Sequence, residues 1–195
     1  ASGSQKGYMI PPGLSFISVS DKAWEAYQKS NLPKFYLDLK YYKKSLDNNS
    51  NPYTPAVNLV FALEESLKMM QEEGLDNIFQ RHEKHKLAVS NAIEALNLQL
   101  FANRESLSPA ITAIKLTEIN AEKFRKIIKD KYDILLAGGQ DGLKGKIFRV
   151  GHLGYINNRD IITAISAIGL TLLEQELIST EDLGKSLQIT EANLK

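Results

Sequence analysis

The hydrophobic positions are most regular in the middle of the chain, where they follow the 3.6-residue period of an α-helix. Apolar side chains and one histidine recur on both sides of Gly74, at Leu59, Leu63, Leu67 and Met70 and at Leu75, Ile78, Phe79, His82, Val89, Ile93 and Leu96. A stripe of this kind is typical of an amphipathic helix that buries one face. We therefore predict two long helices, the first with Thr54 as its cap and Pro55 in its first turn.

The region before these helices contains shorter apolar groups. The predicted elements are a buried strand over residues 14–19, a helix over 22–29 that Ser20 and Asp21 can cap, a second helix over 35–44 and a polar loop over 47–52. The strand is entered through Pro11-Pro12-Gly13, a strong turn signal.

After Leu96 the pattern changes to shorter elements. The predicted elements are strands over 110–116, 132–137 and 146–150, a helix over 120–131, and a last helix that Asn157 and Asn158 can cap and that carries Ile161, Ile165, Ile168 and Leu172 on one stripe. This order predicts a small α+β domain that ends near Ile178. Residues 179–195 are polar, which predicts a loose tail.

Composition narrows the possible functions. With 195 residues and 43% hydrophobic residues, the chain is large enough to form a core. Its net charge is +1, and Lys and Glu are interspersed, so we predict neither a nucleic-acid partner nor membrane binding. Cysteine is absent, which leaves no disulfide framework or thiolate metal site and fits a cytoplasmic protein. The longest apolar runs are too short to cross a bilayer.

Lys6 is the main candidate for chemistry. It follows Ser2-Gly3-Ser4-Gln5 and leads into a Pro-Pro-Gly turn. Small residues allow a ligand to approach the backbone closely, and the hydroxyl and amide groups can donate to a phosphate. A lysine amine becomes a nucleophile and a base when its pKa is lowered by burial or by nearby positive charge. The alternative is a plain surface lysine, which the length of the string disfavours.

Arg149 and Thr54 are two further candidates. Arg149 lies in an apolar strand, where a guanidinium needs a partner and is shaped to bind a carboxylate with two hydrogen bonds. The alternative is an internal salt bridge. Thr54 marks a predicted helix N-terminus, which favours anions, or it acts only as a cap. His152, alone in an apolar stretch, is more typical of packing than of catalysis.

Two motifs resemble those of one enzyme family. The Ser-Gly-Ser-Gln-Lys string with its Pro-Pro-Gly turn closely resembles the lysine motif of class V aminotransferases, which use pyridoxal 5'-phosphate (PLP) and include alanine–glyoxylate and serine–glyoxylate enzymes. Arg149-Val150-Gly151-His152-Leu153-Gly154 resembles the Arg-x-Gly-x-x-Gly segment of that family. The resemblance implies an α/β fold, the C-terminal half of a fold-type I PLP-dependent transferase. Its parts are the end of the large PLP-binding domain (1–57), linking helices (58–96), a small α+β C-terminal domain (97–178) and the tail (179–195).

The resemblance also implies a role for each candidate. Lys6 becomes the Schiff-base lysine and proton carrier, while Ser4 and Gln5 contact the cofactor. Thr54 reaches the cofactor phosphate, often that of the neighbouring subunit in a homodimer, and Arg149 holds the α-carboxylate of the substrate. Some members of the family carry a tyrosine three residues before this threonine. Asn51 occupies that position here, so Tyr53 is a candidate replacement.

The implied reaction moves an amino group between a small amino acid, such as alanine or serine, and a 2-oxo acid, such as glyoxylate or pyruvate. In the family, the residues that hold the pyridinium nitrogen and the main phosphate loop precede the lysine. We therefore expect a missing N-terminal half, and one alternative is a catalytically silent module that only associates with a partner chain. A related lyase or desulfurase is disfavoured, because Gln5 stands where desulfurases have histidine and cysteine is absent. Cyanobacterial-type relatives are labelled soluble hydrogenase small subunit, but no cysteine here can hold nickel or an iron–sulfur cluster.

Overall fold

The computed structural model describes residues 1–195, which divide into two compact units, Ala1–Met69 and Met70–Lys195. The strands are β1 (Ser2–Gly3), β2 (Ser15–Phe16), β3 (Gln99–Leu100), β4 (Ile111–Lys115), β5 (Ala137–Gly138) and β6 (Ile147–Gly151). The α-helices are α1 (Asp21–Lys29), α2 (Leu39–Asp47), α3 (Val57–Glu73), α4 (Leu75–Ala95), α5 (Ala121–Tyr132), α6 (Asn158–Glu174) and α7 (Thr180–Leu194). No helix combines the length and the apolar character that crossing a membrane requires.

The first unit contains a small antiparallel ladder and short helices. Strands β1 and β2 pair with Ser2 opposite Phe16, so the strand predicted over 14–19 is reduced to two residues. Helix α1 confirms the predicted helix, with the Ser20 hydroxyl accepting the amide proton of Ala23. Helix α2 begins later than predicted because Asp38 caps it, accepting the amide proton of Lys40 at 3.1 Å.

The two long helices are confirmed, but the first does not begin as predicted. Helix α3 starts at Val57, and the amides of Leu59 and Val60 bond to the carbonyl of Ala56. Thr54 is therefore not a helix cap. Gly74 separates α3 from α4 with a φ of 82°, a left-handed conformation that glycine adopts without strain.

The second unit is a four-stranded antiparallel sheet with helices packed around one core. The strand order is β3-β4-β6-β5, and Ala113 of β4 lies opposite Arg149 of β6. The rings of Phe124 and Phe148, 5.2 Å apart, join α5 to the sheet inside this core. Predicted strands over 110–116 and 146–150 are confirmed, and Asn120 and Asn157 cap α5 and α6.

Two predictions in this unit were wrong. Residues 132–137 do not form a strand, because α5 continues to Tyr132, a left-handed Asp133 ends it, and only Ala137 and Gly138 pair with β6. Residues 179–195 are not a loose tail, because they form α7, which packs against α4 and α6. A capping box between Ser179 and Asp182 starts this helix. The buried face of α7 consists of Leu183, Ser186, Thr190 and Leu194, so half of it is polar and the helix carries only a weak apolar pattern.

Candidate functional site

Lys6 lies on the loop that connects β1 to β2, and its side chain is exposed. Its carbonyl accepts the amide proton of Met9 at 2.9 Å, which closes a tight turn just after the lysine. Met9 has a φ of 60°, so the turn holds one non-glycine residue in the left-handed region. The amine forms no ion pair or hydrogen bond with the chain and is free for chemistry.

Ser4 is fully buried and ties the base of this loop together. Its hydroxyl donates to the carbonyl of Pro11 at 2.7 Å and accepts the amide proton of Leu14 at 3.2 Å. Backbone bonds between Ser4 and both Leu14 and Ile10 reinforce the closure. The hydroxyl has only one proton, and Pro11 already receives it. In this arrangement Ser4 shapes the lysine loop and has no proton left to give a phosphate.

Gln5 is exposed beside the lysine, and its side chain lies over Gly3. A Cβ atom at Gly3 would come within 2.8 Å of the Gln5 Oε1 atom, so the glycine leaves the space that the amide occupies. The carboxamide has two donor protons for an anion placed at the loop. The contact of Gln5 with the cofactor stays a prediction.

Thr54 is exposed and precedes the first turn of α3 by three residues. Asn51 is exposed as well, while Tyr53 packs among aromatic rings, with centroids 4.4 Å from Tyr36 and 6.1 Å from Tyr42. Partial burial among these rings raises the pKa of the Tyr53 phenol, which keeps it protonated and able to donate a hydrogen bond. The hydroxyls of Thr54 and Tyr53 have no partner in the chain.

Arg149 is half-buried in the middle of β6, a strand that lies between β4 and β5. Its Nε atom donates to the carbonyl of Gly138 at 2.8 Å, which fixes the plane of the guanidinium. The two terminal amino groups have no hydrogen-bond acceptor, and no carboxylate forms an ion pair with them. The alternative of an internal salt bridge is therefore absent from this structure. A held guanidinium with a free edge can bind a carboxylate through two bonds.

His152, at the end of β6, is fully buried and held on both sides of its ring. Its Nδ1 atom donates to the carbonyl of Pro109 at 3.0 Å, so its Nε2 atom accepts from the Thr112 hydroxyl at 2.9 Å. Burial lowers the pKa of His152 to about 4, and the hydrogen bond to Pro109 only partly offsets this. The ring is neutral at pH 7, so it acts as a structural bridge between β6 and β4.

Sequence reasoning missed a second group of residues next to the Arg149 segment. Arg81 and His82 of α4 both bond to the backbone of Gly154, 73 and 72 residues further along the chain. Glu73 in turn holds Arg81 with two hydrogen bonds. His82 lies on the apolar stripe predicted for its helix, but no local sequence pattern indicates that Arg81 and His82 contact a distant loop.

Comparison with known sequences identifies the class of protein to which this fold and these motifs belong. The sequence model of the aminotransferase class-V family matches residues 1–154. The chain therefore belongs to the class V aminotransferase family, whose members are PLP-dependent.

Two curated relatives illustrate the range of this family. The chain is 57% identical over 174 residues to the soluble hydrogenase 42 kDa subunit of Anabaena cylindrica, covering 89% of this chain and 45% of the relative. It is 34% identical over 189 residues to the serine–glyoxylate aminotransferase of Methylorubrum extorquens, covering 93% of this chain and 47% of that enzyme. The chain thus spans about half the length of the curated relatives it matches.

A solved structure supports the same assignment at the level of the fold. Ureidoglycine–glyoxylate aminotransferase from Bacillus subtilis superimposes with a TM-score of 0.87 at 26% identity, covering 98% of this chain and 50% of that one. The predicted α/β fold of a PLP-dependent transferase is confirmed over about half of such an enzyme.

Taken separately, the groups of the lysine loop suit PLP and the free edge of Arg149 suits a carboxylate. The loop offers one free amine, from Lys6, and one exposed carboxamide, from Gln5. Arg149 offers an unpaired guanidinium edge of the shape that a carboxylate requires.

Proposed function

We propose that this chain carries the catalytic lysine and the substrate-binding arginine of a PLP-dependent aminotransferase. The reaction moves an amino group between a small amino acid, such as alanine or serine, and a 2-oxo acid, such as glyoxylate or pyruvate. The observation that carries the proposal is Arg149, a half-buried guanidinium whose terminal amino groups are unpaired. The name of the serine–glyoxylate relative supports this class of substrates.

Lys6 is the residue that moves the proton in this proposal. When bound, PLP withdraws the electron pair that remains after a proton leaves the α-carbon of the substrate. The Lys6 amine would take that proton from the α-carbon as a base and deliver it as an acid to the C4′ carbon of the cofactor, which is the shift that amino transfer requires. The closed loop around Ser4 limits where the amine can go, which favours a defined position for this transfer.

The other candidates bind and orient. Arg149 holds the α-carboxylate with two hydrogen bonds, and Gln5 donates to the cofactor phosphate. Thr54, with Tyr53 as a second donor, reaches the phosphate held by the neighbouring subunit of a cytoplasmic homodimer. Their hydroxyls are free in this chain, which supports the assignment. Ser4 acts on the cofactor only through the loop, because its proton is already donated to Pro11.

The role of Arg149 is tested in a polypeptide that contains both this chain and the other half of a family member's length. We call this polypeptide the complete enzyme. Removing one partner of a buried, hydrogen-bonded charge pair at an interface weakens the binding free energy by about 2–5 kcal/mol. Arg149→Ala should therefore weaken amino-acid binding by about a hundredfold while PLP affinity changes less than about twofold. Dissociation constants from the absorbance of bound PLP measure both.

Arg104→Ala is the matched control for this experiment. Arg104 is paired with Glu94 and lies on a different segment from Arg149. We expect the control to bind amino acid and PLP like the unaltered enzyme. Equal weakening of amino-acid and cofactor binding by Arg149→Ala would contradict the assigned role.

A catalytically silent association module is the second candidate for the isolated chain. The specific observation is in the first unit, where Ile10 is the only buried hydrophobic residue and many large apolar side chains are exposed. Such a surface marks an interaction site. In this case the isolated chain should form a stable complex with a separately made N-terminal half, measured by sedimentation. Absence of that complex would contradict the module.

A further inference from the structure

The segment that follows Arg149 is held from both sides. After Gly151 the chain turns at Gly154, which has a φ of 82°, and then enters α6. On the β4 side, the His152 amide donates to the carbonyl of Ala110 at 3.0 Å, and its ring bonds to Thr112 and Pro109. The other side faces α4, which supplies two polar side chains.

Arg81 of α4 binds two carbonyls of this segment with one amino group. Its Nη1 atom donates to Gly154 at 2.8 Å and to Ile156 at 3.1 Å. Its remaining edge faces Glu73, with Nε to Oε1 at 2.6 Å and Nη2 to Oε2 at 2.9 Å. Arg81 and Glu73 are only 21% and 27% exposed, and the hydrogen bond lowers the pKa of Glu73, so the pair stays charged.

His82 completes the contact from the next position of the helix. Its Nδ1 atom donates to the carbonyl of Ile78 at 2.7 Å, which leaves Nε2 as an acceptor. That atom receives the amide proton of Gly154 at 3.2 Å. Both backbone polar groups of Gly154 are therefore satisfied by adjacent residues of α4, and we call Glu73, Arg81 and His82 the loop clamp.

We propose that the loop clamp positions Arg149 for the substrate carboxylate, so that Arg81 is a positioning residue for amino-acid binding. This inference rests on the proposed function of Arg149. A carboxylate bound through two hydrogen bonds requires the guanidinium to be aligned closely, and misplacement by about 1 Å can reduce activity about a hundredfold. Only four residues lie between Arg149 and Gly154, so the clamp holds the far end of the short stretch that begins at Arg149.

The geometry gives Arg81 a specific role that lysine cannot fill. A guanidinium bonds to a carboxylate with one edge while its other amino group reaches two carbonyls, whereas an ammonium is a point charge without that fork. Arg81→Lys should therefore behave much like Arg81→Ala. Both variants keep Arg149 and every residue of the lysine loop unchanged.

The test compares Arg81→Ala in the complete enzyme with the same change in an Arg149→Ala background. In the first case we expect the KM for alanine or serine to rise about tenfold, with PLP affinity changed less than about twofold. In the Arg149→Ala background we expect no further rise, because the clamp acts through Arg149. Arg104→Ala again serves as the control, and Glu73→Gln is a milder variant if Arg81→Ala fails to fold.

Three outcomes would overturn parts of this account in distinguishable ways. If Arg81→Ala lowers PLP affinity and substrate binding equally, the clamp is merely structural. If Arg81→Ala raises KM by the same factor with and without Arg149, the clamp acts independently of Arg149. If Arg149→Ala leaves substrate binding intact, the proposed function fails and the inference fails with it.

Discussion

At the scale of single residues, Ser4 and Arg149 illustrate opposite uses of a polar side chain. The Ser4 hydroxyl donates its only proton to the Pro11 carbonyl and accepts the amide proton of Leu14, and these two bonds close the lysine loop. Arg149 uses one nitrogen to bond to Gly138 and leaves its other donors unpaired. A half-buried donor without a partner is costly in a protein interior, which is why it indicates a binding role.

The loop closure by Ser4 gives the first prediction. Ser4→Ala leaves the Leu14 amide and the Pro11 carbonyl without the hydroxyl, at a cost of about 1–3 kcal/mol. Hydrogen exchange of the Ser4 and Leu14 amides should become about tenfold faster. Ser2→Ala is the control, since Ser2 is exposed on the same short ladder. Unchanged exchange in Ser4→Ala would contradict the closure.

The buried histidines give a prediction about pH. The pKa of His152 falls to about 4 in the folded chain from its ordinary 6.5, and burial also lowers that of His85. Between these values the unfolded chain binds a proton that the folded chain does not. The contribution of the neutral histidines to the free energy of unfolding is therefore fully present above pH 6.5. It is lost as the pH falls toward 4, by up to about 3 kcal/mol for His152.

Urea unfolding at several pH values measures this loss. His152→Gln keeps an acceptor for Thr112 and a donor for Pro109 but cannot take up a proton. We expect its free energy of unfolding to fall less between pH 7 and pH 5 than that of the unaltered chain. Parallel pH profiles for the two proteins would contradict the assignment of the loss to His152.

Among the secondary-structure elements, the sequence predicted the helices that have a clear hydrophobic period or a clear N-terminal cap. The stripes of α3, α4 and α6 and the caps at Ser20 and Asn157 led to correct helices. Helix α7 was missed because half of its buried face is polar, as in Ser186, whose hydroxyl donates to the carbonyl of Ala92 at 2.9 Å. Such a bond joins residues far apart in the chain and leaves no local pattern.

Helix α7 gives the third prediction. Leu183 is only 8% exposed, and its Cδ1 atom lies 2.5 Å from where a Cβ at Gly169 of α6 would stand. Leu183→Ala should therefore lower the free energy of unfolding by about 2–3 kcal/mol, as for other buried leucines. Leu135→Ala is the control, because Leu135 is 77% exposed and should change stability by less than about 0.5 kcal/mol. Equal effects of the two substitutions would show that α7 does not pack as described.

At the scale of the whole molecule, burial is unevenly distributed. The first unit, Ala1–Met69, buries only Ile10 among its hydrophobic residues, whereas the second, Met70–Lys195, contains the continuous core. The chain spans about half the length of its curated relatives. We therefore expect the isolated chain to bind hydrophobic dyes through its first unit and to lose this binding when the N-terminal half is added. Dye fluorescence that is unaffected by that half would contradict the expected interface.

Part of the candidate site follows from sequence patterns. Lys6 and Arg149 are candidates because each lies in a motif of several adjacent residues. The loop closure by Ser4 and the contact of Arg81 with Gly154 were not predictable, because both depend on hydrogen bonds to backbone carbonyls of other segments. Sequence patterns indicate which side chains are present, but they do not show which of their protons are already donated.

Lys6 is the residue that we propose to bond covalently to PLP. The most direct test adds PLP to the complete enzyme, reduces the protein with borohydride and maps the modified peptide by mass spectrometry. The account predicts one phosphopyridoxyl group on the peptide that contains Lys6, and its loss in Lys6→Ala. A stable modification at a different lysine, or none at all, would contradict it.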